Sequence, residues 1–312
     1  MSGRGILGRT AMVILNYCSP DLTISAAKHL LDFGTDLQII LVDNCSGDES
    51  KERFEKEFSG AAAVHLICNE DNRGYAHGNN VGIEYAQSLG DIDFIGIMNP
   101  DVVADADVIA NLATALEEHK EIGLITAETY YNGQYRIPND CAWHLPKVGQ
   151  LLRFCTLPGY VMNRLCKMAG KKYNDQNGYA PSYYKGKIIA PVEVVQGCFF
   201  LARLSTLCEI GKLDETTFLY YEENILGAKL EAHHLQGAVL AGNYIQHNHH
   251  EKDKSLQRRS SKIFDMTCLH RSRRHYIQTY LQCPAAVKSL LLAYLDVDFE
   301  IRKLGVRVLI KR

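Results

Sequence analysis

The 312-residue chain has a formal net charge of −2, with 46% hydrophobic and 22% charged residues. These values are typical of a globular protein and exclude an intrinsically disordered chain, a collagen and a coiled coil. The length is enough to bury a core without disulfide or metal staples, and it predicts about two domains or one large domain with an appendage.

The first 130 residues alternate between strand-like and helix-like segments. Compact apolar runs predict strands, and apolar side chains that recur every three or four residues predict the helices between them. Strands without polar alternation, separated by helices, indicate a mostly parallel α/β sheet covered by helices on both faces. The predicted strands cover 11–17, 37–43, 62–68, 94–99 and 123–129, and the predicted helices cover about 22–33, 49–58, 74–89 and 106–119.

From residue 132 to 190 this alternation gives way to a stretch rich in Tyr, Lys, Pro and Gly, with short apolar helices around 148–169. Strand character returns at 192–204, a helix follows within 217–235, and a last strand at 238–250 leads into a histidine cluster. The basic C-terminal segment shows two helical patterns, at about 261–281 and 284–304. No apolar run approaches the ~18 residues that a membrane-spanning helix needs.

Polar side chains collect where the predicted parallel strands end. In open α/β sheets the ligand binds beyond the carboxyl ends of the strands. The sequence therefore predicts a ligand site at this edge of the sheet. The strand ends carry Asn16-Tyr17, Asp43-Asn44, Asn69 with Asn72, and Asn99-Pro100-Asp101.

Two motifs at this edge each allow a functional and a structural interpretation. Asp101 can coordinate a divalent cation that binds the phosphates of a nucleotide, or it can cap the turn that follows. Within 71–82, three glycines spaced by four residues allow close approach of a ligand backbone or of a neighbouring strand. Asparagines in the same segment offer neutral hydrogen bonds to sugar hydroxyls or phosphate. Because this segment is not a G-x-G-x-x-G fingerprint and the chain has no G-x-x-x-x-G-K-[ST] motif, dinucleotide and P-loop sites are disfavoured.

Three further motifs carry ionisable groups. Asp43 can accept a hydrogen bond from a pyrimidine or a ribose, or its loop can be a turn that caps the next helix. Glu222 and Glu223 follow two tyrosines at a helix start, where apolar rings can raise a carboxylate pKa toward that of a general base. A negative first turn is also favoured by the helix dipole alone. The run QHNHH at 246–250 can supply a metal ligand, with surface loop histidines as the alternative for His249 and His250.

The cysteines and the distribution of charge indicate the compartment and the partners of the protein. Ten scattered cysteines without a CxxC pair predict free thiols in a reducing cytoplasm. The N-terminus lacks an apolar run followed by a small-residue cleavage site, so it does not predict a signal peptide. The net charge is −13 over 1–146, +7 over 147–187, −4 over 188–250 and +8 over 251–312. This asymmetry predicts an anionic partner, with nucleic acid and a membrane surface both open.

Taken in order, these motifs resemble those of family 2 glycosyltransferases with the GT-A fold, and among them the rhamnosyltransferase-like branch. That group pairs a VDN-S-D-S turn with an N-x-G-[FY]-A-x-G-N-N-x-G-I segment, an NPD triplet, a G-x-F-x-L-x-R strand, a D-E-x-F-F-x-Y-x-E-D helix start and a later histidine. The corresponding stretches here are VDNCSGDES, NRGYAHGNNVGI, NPD, GCFFLARL, LDETTFLYYEEN and IQHNHH. The resemblance covers about residues 11–250, except for the 132–190 insert.

The resemblance implies a Rossmann-like GT-A sheet and an inverting transfer of a sugar from a nucleotide diphosphate to a hydroxyl acceptor, with Mn²⁺ or Mg²⁺ as cofactor. It implies that Glu223 deprotonates the acceptor hydroxyl and that Asp101 holds the metal together with His247. Asp43 would contact the base. The remaining substrate-binding residues would be Asn16, Tyr17, Asn72, Gly74, Tyr75, Asn79, Asn99, Gly197 and Glu222.

The chain departs from the family pattern at the helix start. Family members usually read E-D-x-D where this chain reads Glu222-Glu223-Asn224-Ile225. Glutamate keeps the acid–base chemistry, whereas Ile225 replaces a second Asp that is often found there. A non-catalytic nucleotide-sugar-binding subunit of a glycan assembly complex is therefore the alternative to an enzyme. A nucleotidyltransferase is disfavoured because NYCSPD follows the first strand in place of a G-x-G-x-R-type loop.

The resemblance also implies a domain organisation and partners. Residues 1–250 would form the catalytic domain, with a nucleotide-sugar-binding half (1–131), a variable insert (132–190) and an acceptor half (191–250). Residues 251–312 would form a basic helical extension. The favoured donor is dTDP-rhamnose, then a UDP-sugar, and the acceptor would be a glycan or lipid-linked glycan of cell-envelope polysaccharide synthesis. We expect a cytoplasmic protein whose basic segments face an anionic membrane or glycan, with no nucleic acid partner and with scope for a homodimer through the C-terminal helices.

Overall fold

The computed structural model describes residues 5–132, 134–135, 141–168, 178–179, 181–248 and 259–309. The strands are β1 (Thr10–Asn16), β2 (Gln38–Asp43), β3 (Val64–Cys68), β4 (Phe94–Met98), β5 (Val102–Val103), β6 (Ile122–Tyr131), β7 (Gln134–Tyr135), β8 (Ala142–Trp143), β9 (Ile189–Val192), β10 (Val194–Val195), β11 (Phe199–Arg203) and β12 (Gln236–His247). The helices are α1 (Pro20–Leu31), α2 (Ser50–Glu57), α3 (Tyr75–Leu89), α4 (Ala106–Glu118), α5 (Val148–Cys155), α6 (Leu157–Met168), α7 (Pro181–Tyr184), α8 (Leu204–Glu209), α9 (Glu222–Ala232), α10 (Arg259–Thr279) and α11 (Ala285–Leu309), with a 3-10 turn at Ile6–Arg9.

A mixed central sheet runs in the order β3-β2-β1-β4-β11-β6-β12-β5. Strands β3, β2, β1 and β4 are parallel to one another, and β12 is parallel to β6. Strand β11 is antiparallel to both β4 and β6. The central strands are buried on both faces, which is why their sequences are continuously apolar. The prediction of a mostly parallel α/β sheet flanked by helices is confirmed.

Helices cover both faces of this sheet. Along β1, Ala11 and Val13 belong to a core with α3 and α8, whereas Met12 and Ile14 belong to a core with α1 and α4. This alternation follows from the two-residue period of a strand. A β-carbon at Gly82 would lie 2.5 Å from the Val13 side chain, so the glycine lets α3 lie directly on β1. Tight helix–sheet packing therefore accounts for this part of the glycine repeat.

The predicted strand at 192–204 is wrong as one element, because the chain changes partner within it. Strand β9 pairs with β12, β10 pairs with β8, and β11 enters the sheet between β4 and β6. The interruption places Gly197 in a turn at the sheet edge. The arginine that ends β11 has a structural role. The Arg203 guanidinium donates at 2.6 Å both to the carbonyl of Leu116, in the last turn of α4, and to that of Ile122, at the start of β6.

The C-terminal helices pack on the second half of the α/β body. Helices α10 and α11 share a core with Ile225 of α9. To this core α10 contributes Tyr276 and Ile277, α11 contributes Leu291 and Leu295, and Val194 and Leu151 also belong to it. Ile225 is fully buried there. The predicted domain boundary at residue 250 lies outside the described residues, so the domain division stays a prediction. In the described part of the chain, no helix combines the length and the apolarity needed to cross a membrane.

Candidate functional site

The ends of β1 and β2 form a buried hydrogen-bonded corner. Asn16 lies opposite Asp43 in the parallel ladder, and its Nδ2 donates to Asp43 Oδ1 at 2.7 Å. Ser46 donates to the same carboxylate through its Oγ at 2.5 Å and its backbone N at 3.1 Å. Both Asp43 oxygens thus shape the turn after β2, which fits the turn interpretation. Contact of Asp43 with the nucleobase of a donor stays a prediction. Tyr17 beside them is 55% exposed, so its ring is open for stacking.

The asparagine-glycine segment joins this corner to the turn before α9. Asn72 Oδ1 accepts hydrogen bonds from Gly74 N and Asn44 Nδ2, both at 3.0 Å. Gly74 has a φ of 99°, and a β-carbon there would lie 2.3 Å from the carbonyl oxygen of Phe218. The backbone N of Tyr75 donates to that same oxygen at 2.9 Å. Only glycine permits this close approach, which fixes the segment against residues 217–221.

Two neighbouring asparagines of α3 lie behind the site surface. Asn79 is fully buried, and its Nδ2 donates to the carbonyl of Tyr75 at 2.9 Å. Its Oδ1 has no hydrogen-bond partner among the described residues. Asn80 donates to Leu213 O and Glu215 Oε1, so it fastens α3 to the loop before α9. Asn80 is structural, and sugar contact by Asn79 stays a prediction.

A cluster from four elements forms the centre of the site. Tyr75 OH donates to Gly197 O at 2.8 Å and lies 3.5 Å from Asn99 Oδ1. Burial, and then the nearby Glu223 and Glu222 carboxylates, raise the pKa of Tyr75 well above its ordinary value, so this hydroxyl stays a donor. A β-carbon at Gly197 would lie 2.7 Å from Glu223 Oε1. A glycine is therefore required where the Glu223 carboxylate packs.

The two adjacent carboxyl groups occupy the first turn of α9. Burial, and then the neighbouring Glu223, raise the pKa of Glu222 to about 8. Glu222 is buried, and its Oε1 has no hydrogen-bond partner among the described residues. Burial also raises the pKa of Glu223, while backbone N–H groups of Glu223 and Gly197 oppose this rise. Near neutral pH the pair therefore holds a proton, and the pKa of Glu223, which faces Gly197, is shifted in the direction that a general base needs.

The turn that precedes these carboxyls is strained and is held by α10. Tyr220 and Tyr221 both have a φ of 73°, which is costly for a residue with a bulky side chain. Arg273 Nε donates to Tyr221 OH at 3.1 Å, and Ser272 Oγ donates to Leu219 O at 2.9 Å. The helix predicted within 217–235 accordingly begins only at Glu222.

This support for the turn was not predicted from the sequence. Its only signal was the basic character of the C-terminal segment, which does not single out Arg273.

The Asp214 carboxylate is a second anchor, because it accepts hydrogen bonds from Tyr280 OH at 2.6 Å and His275 Nε2 at 2.7 Å. Burial alone would raise the pKa of Asp214, but these hydrogen bonds and that from Thr216 lower it well below its ordinary value.

Asp101 and His247 meet although 146 residues separate them. Strand β5 pairs with the end of β12, with Val102 opposite His247, and this brings His247 Nε2 to 3.3 Å from Asp101 Oδ2. Carboxylate oxygen and imidazole nitrogen are both ligands that Mn²⁺ accepts. Among the described residues no group of three or more His, Cys, Asp or Glu side chains forms a metal cage. The pair therefore fits an ion that takes its other ligands from phosphate and water.

Other parts of the site and its surroundings carry less chemistry. His249 and His250 lie outside the described residues. Two cavities of about 390 and 380 Å³ lie away from the cluster, one beside Tyr179 and Glu193 and the other beside Arg9 and Asp93. The convergence of ionisable groups at the strand ends therefore identifies the candidate active site better than cavity volume does.

Comparison with known proteins agrees with this arrangement. The sequence model described as Glycosyl transferase family 2 matches residues 12–173, just over half of the chain. The low-salt glycan biosynthesis hexosyltransferase Agl10 of Haloferax volcanii is 26% identical over 228 residues. That alignment spans 66% of this chain and 64% of Agl10, slightly less than two thirds of the relative's length.

Solved structures share the fold at low sequence identity. The mannosyltransferase PcManGT from Pyrobaculum calidifontis, in complex with GDP-Man and Mn²⁺, gives a TM-score of 0.58 at 13% identity over 96% of this chain and 73% of its own. GalNAc-T7 with UDP, GalNAc and Mn²⁺ gives 0.59 at 11% identity over 93% and 54% of the two chains. S. aureus TarS 1-349 with UDP-GlcNAc gives 0.54 at 15% identity over 97% and 76%. The predicted GT-A fold is confirmed, and the chain belongs to glycosyl transferase family 2.

Proposed function

We propose that the protein is an inverting glycosyltransferase that moves a sugar from a nucleotide diphosphate to a hydroxyl group of a glycan. The observation that carries this proposal is the Glu223 carboxyl, which lies against Gly197 beside Asn99 and Tyr75 at the ligand edge of the sheet. Family membership supports nucleotide-sugar chemistry, and the relative Agl10 is named as a hexosyltransferase of glycan biosynthesis.

Glu223 would act as the general base. It accepts the proton of the acceptor hydroxyl, whose oxygen forms a bond to the anomeric carbon while the bond to the nucleoside diphosphate breaks. Attack from the face opposite the leaving group inverts the configuration at that carbon. A protonated Glu222 supports this role, because two adjacent carboxylates would otherwise repel each other in a buried site.

Asp101 and His247 would hold a divalent cation, for which Mn²⁺ is the best candidate. Their mixed oxygen and nitrogen donors support this assignment, and two of the structures with this fold were solved with Mn²⁺. When bound, such an ion neutralises negative charge on the diphosphate leaving group. The Asn99 amide and the Tyr75 hydroxyl, which lie on the same edge, would orient the donor by neutral hydrogen bonds.

The finer donor assignment is dTDP-rhamnose, and it rests on the motif resemblance around 72–83 and the NPD triplet. Structures that share the fold were solved with GDP-Man, UDP and UDP-GlcNAc, so the fold does not determine which nucleobase the donor carries. Thermal-shift measurements with dTDP-rhamnose, UDP-sugars and GDP-mannose discriminate among these donors. We expect the largest stabilisation from dTDP-rhamnose with Mn²⁺.

The acceptor is proposed to be a lipid-linked glycan at the inner face of the membrane. Helix α6 supports this, since Tyr160, Val161, Leu165 and Met168 are exposed on it. The segment 147–168 contains four basic residues and no acidic residue, which suits an anionic lipid surface. Flotation with anionic and with zwitterionic vesicles tests this part, and equal partitioning would remove it.

The test of the proposed reaction is Glu223→Gln. Because the amide cannot accept the proton, we expect transfer to fall by at least ~100-fold, whereas donor stabilisation in thermal shift is retained. Glu231→Gln, an exposed change on the same helix, serves as the matched control. Full transfer by Glu223→Gln would refute the base assignment.

The alternative is a non-catalytic nucleotide-sugar-binding subunit, which Ile225 motivated. Ile225 is fully buried against α10, so the C-terminal packing supplies a reason for its apolar side chain that leaves Glu223 in place. Wild-type protein that binds donor but shows no turnover with any glycan acceptor would favour this alternative.

A further inference from the structure

Helix α11 carries an apolar stripe on its outer side. Six large side chains, each between 40% and 73% exposed, follow one another at alternating spacings of four and three residues. Contiguous apolar surface of this extent is uncommon on a monomer in water and marks an interaction site. The stripe consists of Leu290, Tyr294, Val297, Ile301, Leu304 and Val308.

The stripe is distinct from the face by which α11 packs on the rest of the chain. Leu291 and Leu295 are buried on that inner face, and the Phe299 ring stacks on His270 of α10 with ring centroids 4.2 Å apart. At about 100° per residue, Phe299 lies roughly 160° around the helix from Ile301. The helix therefore has one apolar face that is used within the chain and a second that is not covered by any described residue.

The spacing and the size of the stripe fit a second helix of the same kind. Alternation of four and three is the a/d seam of a coiled coil, in which side chains interlock with those of a partner helix. The exposed part of the six side chains amounts to about 700 Å² per chain, near the ~800 Å² that each partner buries in a standard interface. A twofold pairing of identical stripes is self-complementary, as a closed dimer requires.

Charge along the stripe favours a helix over a membrane surface. Glu300 and Arg307 lie beside it, one heptad apart and with opposite signs. A helix that lies on an anionic membrane borders its apolar face with basic residues, whereas the stripe of α11 is flanked by an exposed acid as well as by a base.

We propose that two copies of this chain associate through α11 about a twofold axis. The seam lies on the side of α11 that is turned away from α10, which holds the turn before Glu222. This inference does not depend on the donor, the acceptor or the catalytic base.

Sedimentation equilibrium of the full chain, measured over a range of concentrations, tests the proposal. We expect a dimer for the wild type and a monomer for Ile301→Glu, because a buried charge without a partner should weaken association by at least ~100-fold. Ala285→Glu adds the same charge at the exposed first residue of α11, about 140° around the helix from Leu290, and should remain dimeric. Val308→Glu, near the helix end, is a second disrupting variant in case Ile301→Glu lowers the melting temperature.

Two results would overturn the proposal. One is a wild-type protein that is monomeric throughout, and the other is a dimer that both Ile301→Glu and Val308→Glu leave intact. Binding to phosphatidylserine vesicles that Ile301→Glu abolishes, by a wild type that is monomeric in water, would assign the stripe to a membrane instead and would also overturn it.

Discussion

The donor edge and the base turn of the site are built in opposite ways. At the donor edge, Asn16 and Asp43 end β1 and β2, and Asn72 lies in the loop after β3. Their side chains hydrogen-bond to one another or to the loops at this edge. The base turn at 217–221 has left-handed residues and is fixed by Gly74 on one side and by Ser272 and Arg273 on the other.

This difference separates binding from chemistry. A preformed donor edge on strand ends needs little reorganisation to accept a ligand, because parallel strands set its geometry. A base held by a strained turn depends on every element that clamps the turn, and strain of this kind persists only where the surroundings over-determine it. Changes at the base turn should therefore reduce transfer without reducing donor binding, whereas changes at the donor edge should weaken donor binding.

The largest effect on the base side is expected from Gly197→Ala. The added β-carbon would lie 2.7 Å from Glu223 Oε1 and must displace that carboxylate. We expect transfer to fall by at least ~100-fold, which is the range of a lost general base, with donor stabilisation unchanged. Steady-state kinetics with thermal shift checks both. Gly149→Ala, where a β-carbon meets no atom within 4 Å, is the control. Wild-type turnover by Gly197→Ala would contradict this account of the base.

On the donor side, Asp101→Ala should act on binding. Removal of the carboxylate that faces His247 takes away half of the proposed ion site, so we expect Mn²⁺-dependent donor affinity to fall by about 10–100-fold. Calorimetry with and without Mn²⁺ measures this loss. Asp105→Ala, an exposed carboxylate in the next turn, should leave affinity unchanged. An unchanged Mn²⁺ effect in Asp101→Ala would place the ion elsewhere.

More of the donor edge than of the base turn could be predicted from the sequence. Asp43 ends β2 and Asp101 follows the end of β4, and parallel strand ends meet at one edge, so their convergence follows from strand periodicity. The contact of Asp101 with His247 needed the pairing of β5 with β12, which no local pattern records. Arg273 was missed for the same reason, since its partner Tyr221 is 52 residues away and helix periodicity shows only that the segment is helical. The split of 192–204 was missed because partner exchange leaves apolar character unchanged.

The clamp on the base turn can be tested with Arg273→Ala. Loss of the hydrogen bond to Tyr221 OH should let the turn relax, and we expect kcat to fall by roughly 10-fold while the donor KM is unchanged. Arg271→Ala, an exposed change on the same helix, is the matched control. If Arg273→Ala lowers thermal stability but leaves kcat intact, Arg273 supports the fold and not the position of the base.

The smallest effect concerns Glu222, and it appears in stability rather than in turnover. Burial raises the pKa of Glu222 from 4.5 to about 8 in the folded protein, so the folded state binds an additional proton between these values. The free energy of unfolding should then fall as pH rises through this window, by up to a few kcal/mol, because ionisation is more costly in the buried site than in the unfolded chain. Glu222→Gln removes this titration. Its melting temperature relative to wild type should therefore be higher at pH 8.5 than at pH 5, while the Glu231→Gln control shows no such pH dependence. An equal difference at both pH values would mean that the buried carboxyl is not the group that holds the proton, and the base at Glu223 would then have to work beside a charged neighbour.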